Sequence, residues 1–373
     1  DGVIIDSPPQ TFNFVEDQPP SVPSTVSGTI TFSDVDARDT HVVSVAPVVR
    51  TSNIMGSANT GTSFGNFVLG GTNEAVDATS GSVGFVYVYN DAAAQALGRT
   101  ETITETYTVS VNDQNGSVVS QVVTVIITGS NDVPMIAVGP IVSATTGAIT
   151  FTATDADVND DLNVIFDGTD PDEVQTTTPA SPFSTGDSVT FTPGALTTTD
   201  TGVLRVTDGV ANAALLAATL GTAGDDTLTP PAAVVAPGTV TVTYGFGGDD
   251  TFTLGSGSTD YMFGGDDDDD FIVTSAAHLN AGDVVNAGTG DDQILFTSTA
   301  GETLNLTANV ISVEEARIAN SLGQTTGITN ESINASAVLA GENINLVGND
   351  GNNTLTGNAG NNTLTGNGGN DSF

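Results

Sequence analysis

The residues from Gly348 to Phe373 repeat almost perfectly every nine positions, and this repeat constrains the fold more than any other feature of the chain. The segments 348–356, 357–365 and 366–373 follow the pattern G-N-x-G-N-[ND]-[TS]-[LF]-x. Glycine permits the positive-φ conformations of tight turns. One turn and one apolar residue per repeat form half a coil, two repeats close a coil, and coils stack at roughly 4.8 Å. The repeat therefore predicts a parallel β-roll.

Less regular copies of the repeat occur at 221–229, 245–253, 255–263, 264–272 and 287–295. The sixth position carries a carboxylate at Asp226, Asp250, Asp260, Asp269, Asp292 and Asp371. The eighth position is apolar, at Leu228, Phe252, Met262, Phe271, Ile294, Leu355, Leu364 and Phe373. Because this apolar position stays in phase, a disordered low-complexity tail is the less favoured alternative. Carboxylates and backbone carbonyls of stacked turns suit calcium, so these six aspartates are predicted to hold several calcium ions.

In residue type, period and register, the pattern resembles the glycine- and aspartate-rich nonapeptide repeats of the RTX family of type I-secreted bacterial proteins. The resemblance covers roughly residues 221–295 and 348–373. It implies a calcium-binding β-roll in an extracellular protein.

Some copies depart from the motif. Asn353 and Asn362 replace the sixth-position aspartate, which predicts weak or empty calcium sites there, with stacked asparagines holding the coils instead. In the acidic run 266–270, only Asp269 stands at the ligand position, and Asp267 stands where glycine is expected. Residues 296–347 lose the motif but keep strand-like runs, with apolar residues nine apart from Leu295 to Leu322. We interpret them as a calcium-poor continuation of the coil; a separate small domain or linker is the alternative.

The residues before the repeats read as β-sandwiches, because short alternating runs such as "TETYTVSVND" are bounded by Gly, Asn and Asp. We divide the chain into an arm (1–11), a first sandwich (12–132), a second sandwich (133–212) and the β-roll (213–373). "AAAQALG" is the one helical-looking stretch, and a hairpin turn is predicted at Asn115-Gly116. The opening "VEDQPPSVPSTVSGTITFSDVDARDTH" and the closing "YNDAAAQALGRTETITETYTVSVND" resemble the VCBS repeat, a cadherin-like module of bacterial surface proteins.

Two acidic clusters in the sandwiches are further calcium candidates. One contains Asp34, Asp36 and Asp39, with Asp17 preceding them. The other combines the junction residues Asn131 and Asp132 with the D-x-D pair Asp155 and Asp157. In cadherin-like modules, such a pair and the preceding linker share calcium. The alternative is that these residues only terminate strands in solvent.

Charge and composition limit the function. The formal net charge of −40 excludes a nucleic-acid binder that depends on phosphate contacts, and it argues against anionic membranes. Without cysteine there are no disulfides and no thiolate-bound metals. No apolar run has the length of a membrane span. We find no catalytic motif and predict no catalytic residues; His41 is expected to be a surface residue rather than a general base.

The sequence thus predicts an all-β chain with two Ig- or cadherin-like sandwiches followed by a calcium-binding parallel β-roll. The expected function is a secreted structural or adhesive protein of a bacterial surface: a surface-layer, filament or adhesin segment that associates with copies of itself and with cell-surface glycans. One alternative is the folding and secretion region of a type I-secreted hydrolase, and another is a carbohydrate-binding module. Because the sequence starts at Asp1 without Met or a signal peptide, we expect a processed product or a fragment. Because the last repeat is incomplete, we expect that either more chain follows or another subunit covers the last coil.

Overall fold

The computed structural model describes residues 1–19, 21–54, 63–168, 175–180, 182–231, 240–257 and 259–373. The chain forms two compact units. The first unit contains Asp1–Val133 together with Asp155–Asp160, and the second contains Pro134–Thr154 together with Asp161–Phe373. Within the described residues, the helices are α1 (Asp91–Ala94), which lies at the predicted helical stretch, and a 3-10 helix (Ala276–His278).

The first unit is a sandwich of two sheets. Its strands in the described ranges are β1 (Ile4–Ile5), β2 (Gln10–Val15), β3 (Thr25–Ser33), β4 (Val42–Val45), β5 (Val49–Ser52), β6 (Gly65–Glu74), β7 (Ser80–Tyr89), β8 (Thr102–Asn112) and β9 (Val118–Thr128). One sheet has the order β1-β3-β7-β6, and the other has the order β2-β9-β8-β4, with β5 also paired to β8.

The alternating sequence explains this sandwich. Along β8, every second residue from Ile103 to Val111 is buried, as expected for a strand with one face on the core. The strands β8 and β9 form the predicted hairpin, in which Asn112 pairs with Val118 and the turn places Gln114 and Gly116 at positive φ.

The second unit begins with antiparallel strands. They are β10 (Met135–Val142), β11 (Ile149–Thr154), β12 (Asn163–Phe166), β13 (Gln175–Thr178), β14 (Ser188–Pro193), β15 (Asp200–Thr207) and β16 (Asn212–Leu220). The sheet β10-β11-β14-β13 faces β12-β15-β16 across a core that includes Phe151, Phe191 and Leu216. This is the second sandwich.

The remaining strands build a parallel solenoid. They are β17 (Thr227–Leu228), β18 (Val240–Gly247), β19 (Thr251–Thr253), β20 (Thr259–Asp266), β21 (Asp270–Val273), β22 (Val284–Thr289), β23 (Gln293–Phe296), β24 (Thr303–Asn305), β25 (Val310–Ile311), β26 (Glu315–Ile318), β27 (Ser332–Asn334), β28 (Asn345–Val347), β29 (Thr354–Thr356) and β30 (Leu364–Thr365). The parallel sheets are β16-β18-β20-β22-β25, β17-β19-β21-β23-β26-β28-β30 and β24-β27-β29.

The sequence prediction of an all-β fold with two sandwiches and a parallel β-roll is confirmed. The boundary between the second sandwich and the roll differs from the expected one at residue 212. Strand β16 pairs antiparallel with β15 and, on its other side, parallel with β18. One continuous sheet therefore belongs to both parts, because the almost continuously apolar β16 is buried in the middle of that sheet.

The solenoid core follows the eighth position of the repeats, except at the last residue, Phe373, which is 70% exposed. Phe252, Phe271 and Ile294 lie in register on successive coils and are fully buried, and the rings of Phe252 and Phe271 stack with centroids 4.6 Å apart. Leu346 pairs with Leu364, a step of 18 residues that corresponds to two nonapeptides.

Residues 296–347 continue the solenoid, because β26 pairs with β23 on one side and with β28 on the other. The expected nine-residue interval fails at Leu322, whose surface is 79% exposed. This residue lies in a loop between β26 and β27. The loop lengthens the step from Glu315 to its partner Asn345 to 30 residues.

Candidate calcium sites

The repeats place glycine where a carboxylate folds back over the turn. A Cβ atom at Gly245 would lie 2.0 Å from Asp250 Oδ2 and 2.6 Å from Gly264 O. At Gly264 it would lie 2.0 Å from Asp269 Oδ2 and 2.3 Å from Ala287 O. In these two copies, the first position therefore needs glycine for close approach. The same geometry shows carboxylate and carbonyl oxygens of neighbouring coils converging on one place.

In two copies of the repeat, the second and fourth positions adopt positive φ. These residues are Phe246 and Gly248 in the copy 245–253, and Gly265 and Asp267 in the copy 264–272. Asp267 thus occupies the expected glycine position with φ of 74°. Aspartate tolerates this region better than most residues with a Cβ, so the substitution leaves the turn intact.

Most of the sixth-position carboxylates form a column in which hydrogen bonds link neighbouring members. We call Asp226, Asp250, Asp269, Asp292 and Glu314 the carboxylate ladder. The backbone N–H of each of the first four members donates to a carboxylate oxygen of the next member. The pairs are Asp226 to Asp250 (2.8 Å), Asp250 to Asp269 (2.9 Å), Asp269 to Asp292 (2.7 Å) and Asp292 to Glu314 (2.9 Å). Sequence reasoning missed Glu314. Glu314 could have been recognised from its spacing, because it stands two residues before a buried apolar residue, Ala316, as the aspartates do.

Each central carboxylate of the ladder uses only one of its oxygens in this way. The Oδ2 atoms of Asp250, Asp269 and Asp292 are buried and have no hydrogen-bond partner. Burial raises the pKa of these groups to about 7, 8 and 6 respectively; neighbouring carboxylates raise the pKa further, and the backbone N–H bonds lower it. A stack of buried carboxyl groups with one unsatisfied oxygen each is the donor set that a hard, oxygen-preferring cation satisfies. The residues therefore fit calcium.

The other sixth-position residues lie elsewhere. Asp260 lies in β20, where its backbone N–H donates to Asp283 Oδ1 at 3.0 Å and its carboxylate accepts from the Thr241 hydroxyl. Asp283 was missed by the sequence analysis, although it stands two residues before the buried Val285. Burial raises the pKa of the Asp283 carboxyl. Asp371 Oδ1 accepts from the backbone N–H of Asn353 at 2.9 Å, in a separate column.

At the sixth position, the side-chain amide of Asn353 donates hydrogen bonds, whereas the central aspartates of the carboxylate ladder have an oxygen without a partner there. Its Nδ2 donates to Glu331 O at 3.0 Å and to Asn349 Oδ1 at 3.1 Å, and its Oδ1 accepts from the backbone N–H of Asn349 at 2.8 Å. Asn362 Nδ2 likewise donates to Asn358 Oδ1 at 2.6 Å. The amide groups of Asn353 and Asn362 thus make hydrogen bonds inside the chain, and weak calcium binding at these two positions stays a prediction.

The first acidic cluster of the first unit assembles only in part. Carboxylate oxygens of Asp34, Asp39 and Asp113 lie within 4.8 Å of one another, whereas Asp36 is exposed. Asp113 was missed by the sequence analysis, because it lies at the β8–β9 turn, far away in the chain. The expectation that His41 is a surface residue is wrong. It is 7% exposed, and its ring nitrogens lie 3.3 Å from Asp34 Oδ2 and 2.7 Å from Glu74 Oε1.

Asp17 does not take part in that cluster. Its backbone N–H donates to Asp91 Oδ1 at 3.1 Å, and its carboxylate accepts from Gln95 Nε2 at 3.0 Å. The charge of Asp17 raises the pKa of Asp132, after burial, which is the larger cause. Asp17 therefore lies near the second cluster instead, at the end of β2.

The second cluster is buried in the first unit. Glu16 Oε1, Asp132 Oδ2 and Asp157 Oδ1 are buried without hydrogen-bond partners. The backbone N–H of Asp132 donates to Asp157 Oδ2 at 2.9 Å. Burial raises the pKa of Glu16 and of Asp157 to about 7, backbone N–H donors lower it, and nearby carboxylates raise it. This second carboxylate group also fits a hard cation.

The remaining predicted members lie in the same cluster. Asp155 Oδ1 accepts from the backbone N–H of Asp157 at 3.1 Å, and Asn131 Nδ2 donates to Asp132 O at 2.5 Å. Glu16 was not predicted for this cluster. Its only signal was its place beside Asp17 at the end of a strand.

Comparison with known proteins gives a family match for the last part of the chain. Similar solved structures include protocadherin gammaB7 EC3-6 (13% identity, 64% of this chain and 54% of that chain, TM-score 0.29) and the Yersinia pseudotuberculosis adhesin InvE (11%, 59% and 58%, 0.24). The chain thus spans about half the length of these structures. No curated protein matches the sequence. No helix in the described ranges has the length and hydrophobicity of a membrane span. Residues 345–373 match the model described as RTX calcium-binding nonapeptide repeat, in 4 copies. This part of the chain therefore carries RTX calcium-binding repeats.

Proposed function

We propose that this chain is a calcium-dependent structural or adhesive protein of the bacterial exterior, secreted and self-associating, with a VCBS- or cadherin-like first sandwich. The observation that carries the proposal is the carboxylate ladder, in which stacked buried carboxylates each leave one oxygen for a cation. Folding of the solenoid is then coupled to extracellular calcium, because the unfolded chain does not contain the assembled site. We further propose that the chain is not an enzyme and that its partners are copies of itself and surface glycans.

The physical role of calcium in this proposal is to hold the coils together. The formal net charge of −40 opposes compaction, and calcium ions bound between coils offset that repulsion. A solenoid stacked by nearest-neighbour contacts then becomes a stiff element suited to load. The second cluster, around Glu16 and Asp157, adds a calcium-dependent element at the end of the first sandwich.

A second candidate is the folding and secretion region of a type I-secreted hydrolase, which the family match of residues 345–373 also favours. The order of modules supports the structural function more strongly, because two sandwiches precede the solenoid and the repeats of such hydrolases usually follow a catalytic domain.

Circular dichroism and electron microscopy of the full chain, in chelator and in millimolar calcium, test the proposal. We expect calcium to increase the β-signal and to produce filaments or lattices. Asp269→Asn, which keeps the side-chain shape and removes the charge, should need more calcium for both effects. A β-signal that chelator leaves unchanged would refute calcium dependence, and single particles at all calcium concentrations would refute self-assembly and leave the secretion-region candidate.

A further inference from the structure

The part of the solenoid without nonapeptide motifs contains its own regular carboxylates. Between residues 296 and 347, four glutamates stand two residues before a buried apolar residue. The pairs are Glu302 with Leu304, Glu314 with Ala316, Glu331 with Ile333 and Glu342 with Ile344. This is the spacing between the sixth-position aspartate and the eighth-position core residue of the repeats, with glutamate in place of aspartate.

These glutamates also make the same backbone contact as the aspartates. Each carboxylate accepts an N–H from the preceding coil. The donors are Ala276 for Glu302 (3.0 Å), Asp292 for Glu314 (2.9 Å), Gly301 for Glu331 (2.8 Å) and Ser312 for Glu342 (3.0 Å). The longer side chain thus reaches the same kind of place beside the turn of the coil before it.

Glu302 and Glu331 differ in what happens to the rest of the carboxylate. The two oxygens of Glu302 also accept from the hydroxyls of Ser275, at 3.1 Å, and Ser298, at 2.7 Å. Glu331 is 0% exposed, its Oε1 accepts from Gly301, and its Oε2 is buried without a hydrogen-bond partner. An unsatisfied buried carboxylate oxygen is unfavourable. Glu331 therefore resembles Asp250 and Asp269, because each has one carboxylate oxygen that is buried without a hydrogen-bond partner.

We infer that Glu331 binds a hard divalent cation of the calcium class, at a site outside the nonapeptide motif. Ser298, three residues before Gly301, and Thr329, two residues before Glu331, are among the residues that line a pocket of about 220 Å³. A carboxylate oxygen selects hard cations over softer metals.

The matched pair Glu331→Gln and Glu302→Gln tests this site in the full chain. Native mass spectrometry at saturating calcium counts the ions bound to each variant, and circular dichroism checks that each is folded. We expect Glu331→Gln to bind one calcium ion fewer than the unmodified protein, and Glu302→Gln to bind the same number. Equal ion counts for Glu331→Gln and the unmodified protein, or equal losses in both variants, would overturn the inference.

A second measurement needs no substitution and covers the case in which Glu331→Gln does not fold. Crystals of the unmodified protein soaked with terbium chloride should show an anomalous peak within about 2.6 Å of Glu331 Oε2, the range of oxygen coordination for calcium-like ions. Peaks confined to the carboxylate ladder and the first unit would show that Glu331 binds no ion.

Discussion

Replacing Asn353 by aspartate should make the turn that carries it more dependent on calcium. The side chain is 2% exposed, and its amide group donates to Glu331 O and Asn349 Oδ1 at 3.0 and 3.1 Å. An aspartate side chain at this position would be nearly identical in shape but without these protons. It would therefore direct a carboxylate oxygen at two oxygens that now accept hydrogen bonds.

The expected loss of free energy of coil opening follows from these contacts. Two hydrogen bonds contribute about 1 kcal/mol each, and a buried acceptor left unsatisfied costs about 1–3 kcal/mol. Without calcium, we expect Asn353→Asp to lower the free energy of opening this coil by about 3–5 kcal/mol, which is about a hundredfold to several-thousandfold loss of amide protection. A bound ion restores about 2.7 kcal/mol when the calcium concentration is 100 times Kd. In calcium, protection should therefore recover by about a hundredfold.

Hydrogen–deuterium exchange of peptides within 345–373 measures this opening locally, without assuming that the whole chain unfolds in one step. Asn352→Asp is the matched control. Asn352 is exposed on the same turn, and its Oδ1 accepts from the backbone N–H of Asn370 at 2.7 Å, a contact that aspartate preserves. Equal protection of the two variants in chelator, or no selective recovery of Asn353→Asp in calcium, would refute the reasoning.

Three further expectations concern the other coils. Asp250→Ala should weaken calcium binding in calorimetric titration more than Asn362→Ala, because only the first removes a ladder carboxylate; equal losses would contradict the assigned register. Gly264→Ala should lower the melting temperature in calcium far more than Gly341→Ala, because a Cβ meets Asp269 Oδ2 at the first site and nothing within 4 Å at the second; similar melting temperatures would argue against the close approach. Since the pKa values of the central ladder carboxyls are raised to between about 6 and 8, ionisation is penalised in the folded state, and calcium-free stability should fall as pH rises from about 4 to about 8. Denaturant titrations across that range check the sign, and stability that rises with pH in chelator would contradict it.

The local features of the fold could be predicted from the sequence because they depend on short spacings. The phase of the eighth position identified core residues such as Phe252 and Met262, which are fully buried. It also identified Asp269 as the one buried aspartate of the run 266–270.

Features that depend on pairing between distant segments could not be predicted in this way. Strand β16 joins the second sandwich to the solenoid, because it pairs with β15 on one side and with β18 on the other. No spacing in the sequence predicts that the two parts share one sheet. Asp113 reaches Asp34 only through sandwich packing. The glutamates of 296–347 did carry a signal, the two-residue spacing to a buried residue. It went unrecognised because the flanking glycines of the motif are missing there.

Different side chains make the hydrogen bonds at the same structural position of the solenoid, and we expect this variation to determine which coils need calcium. In Asp250 and Asp269, one oxygen binds the preceding coil and the other remains for a cation. In Glu302, serine hydroxyls bind the carboxylate in addition to the backbone, whereas Asn353 provides amide protons of its own. Because coils stabilise mainly their nearest neighbours, these differences stay local instead of averaging over the whole solenoid. We therefore expect calcium dependence to be a property of individual coils, strongest where aspartate occupies the sixth position and weakest where asparagine does.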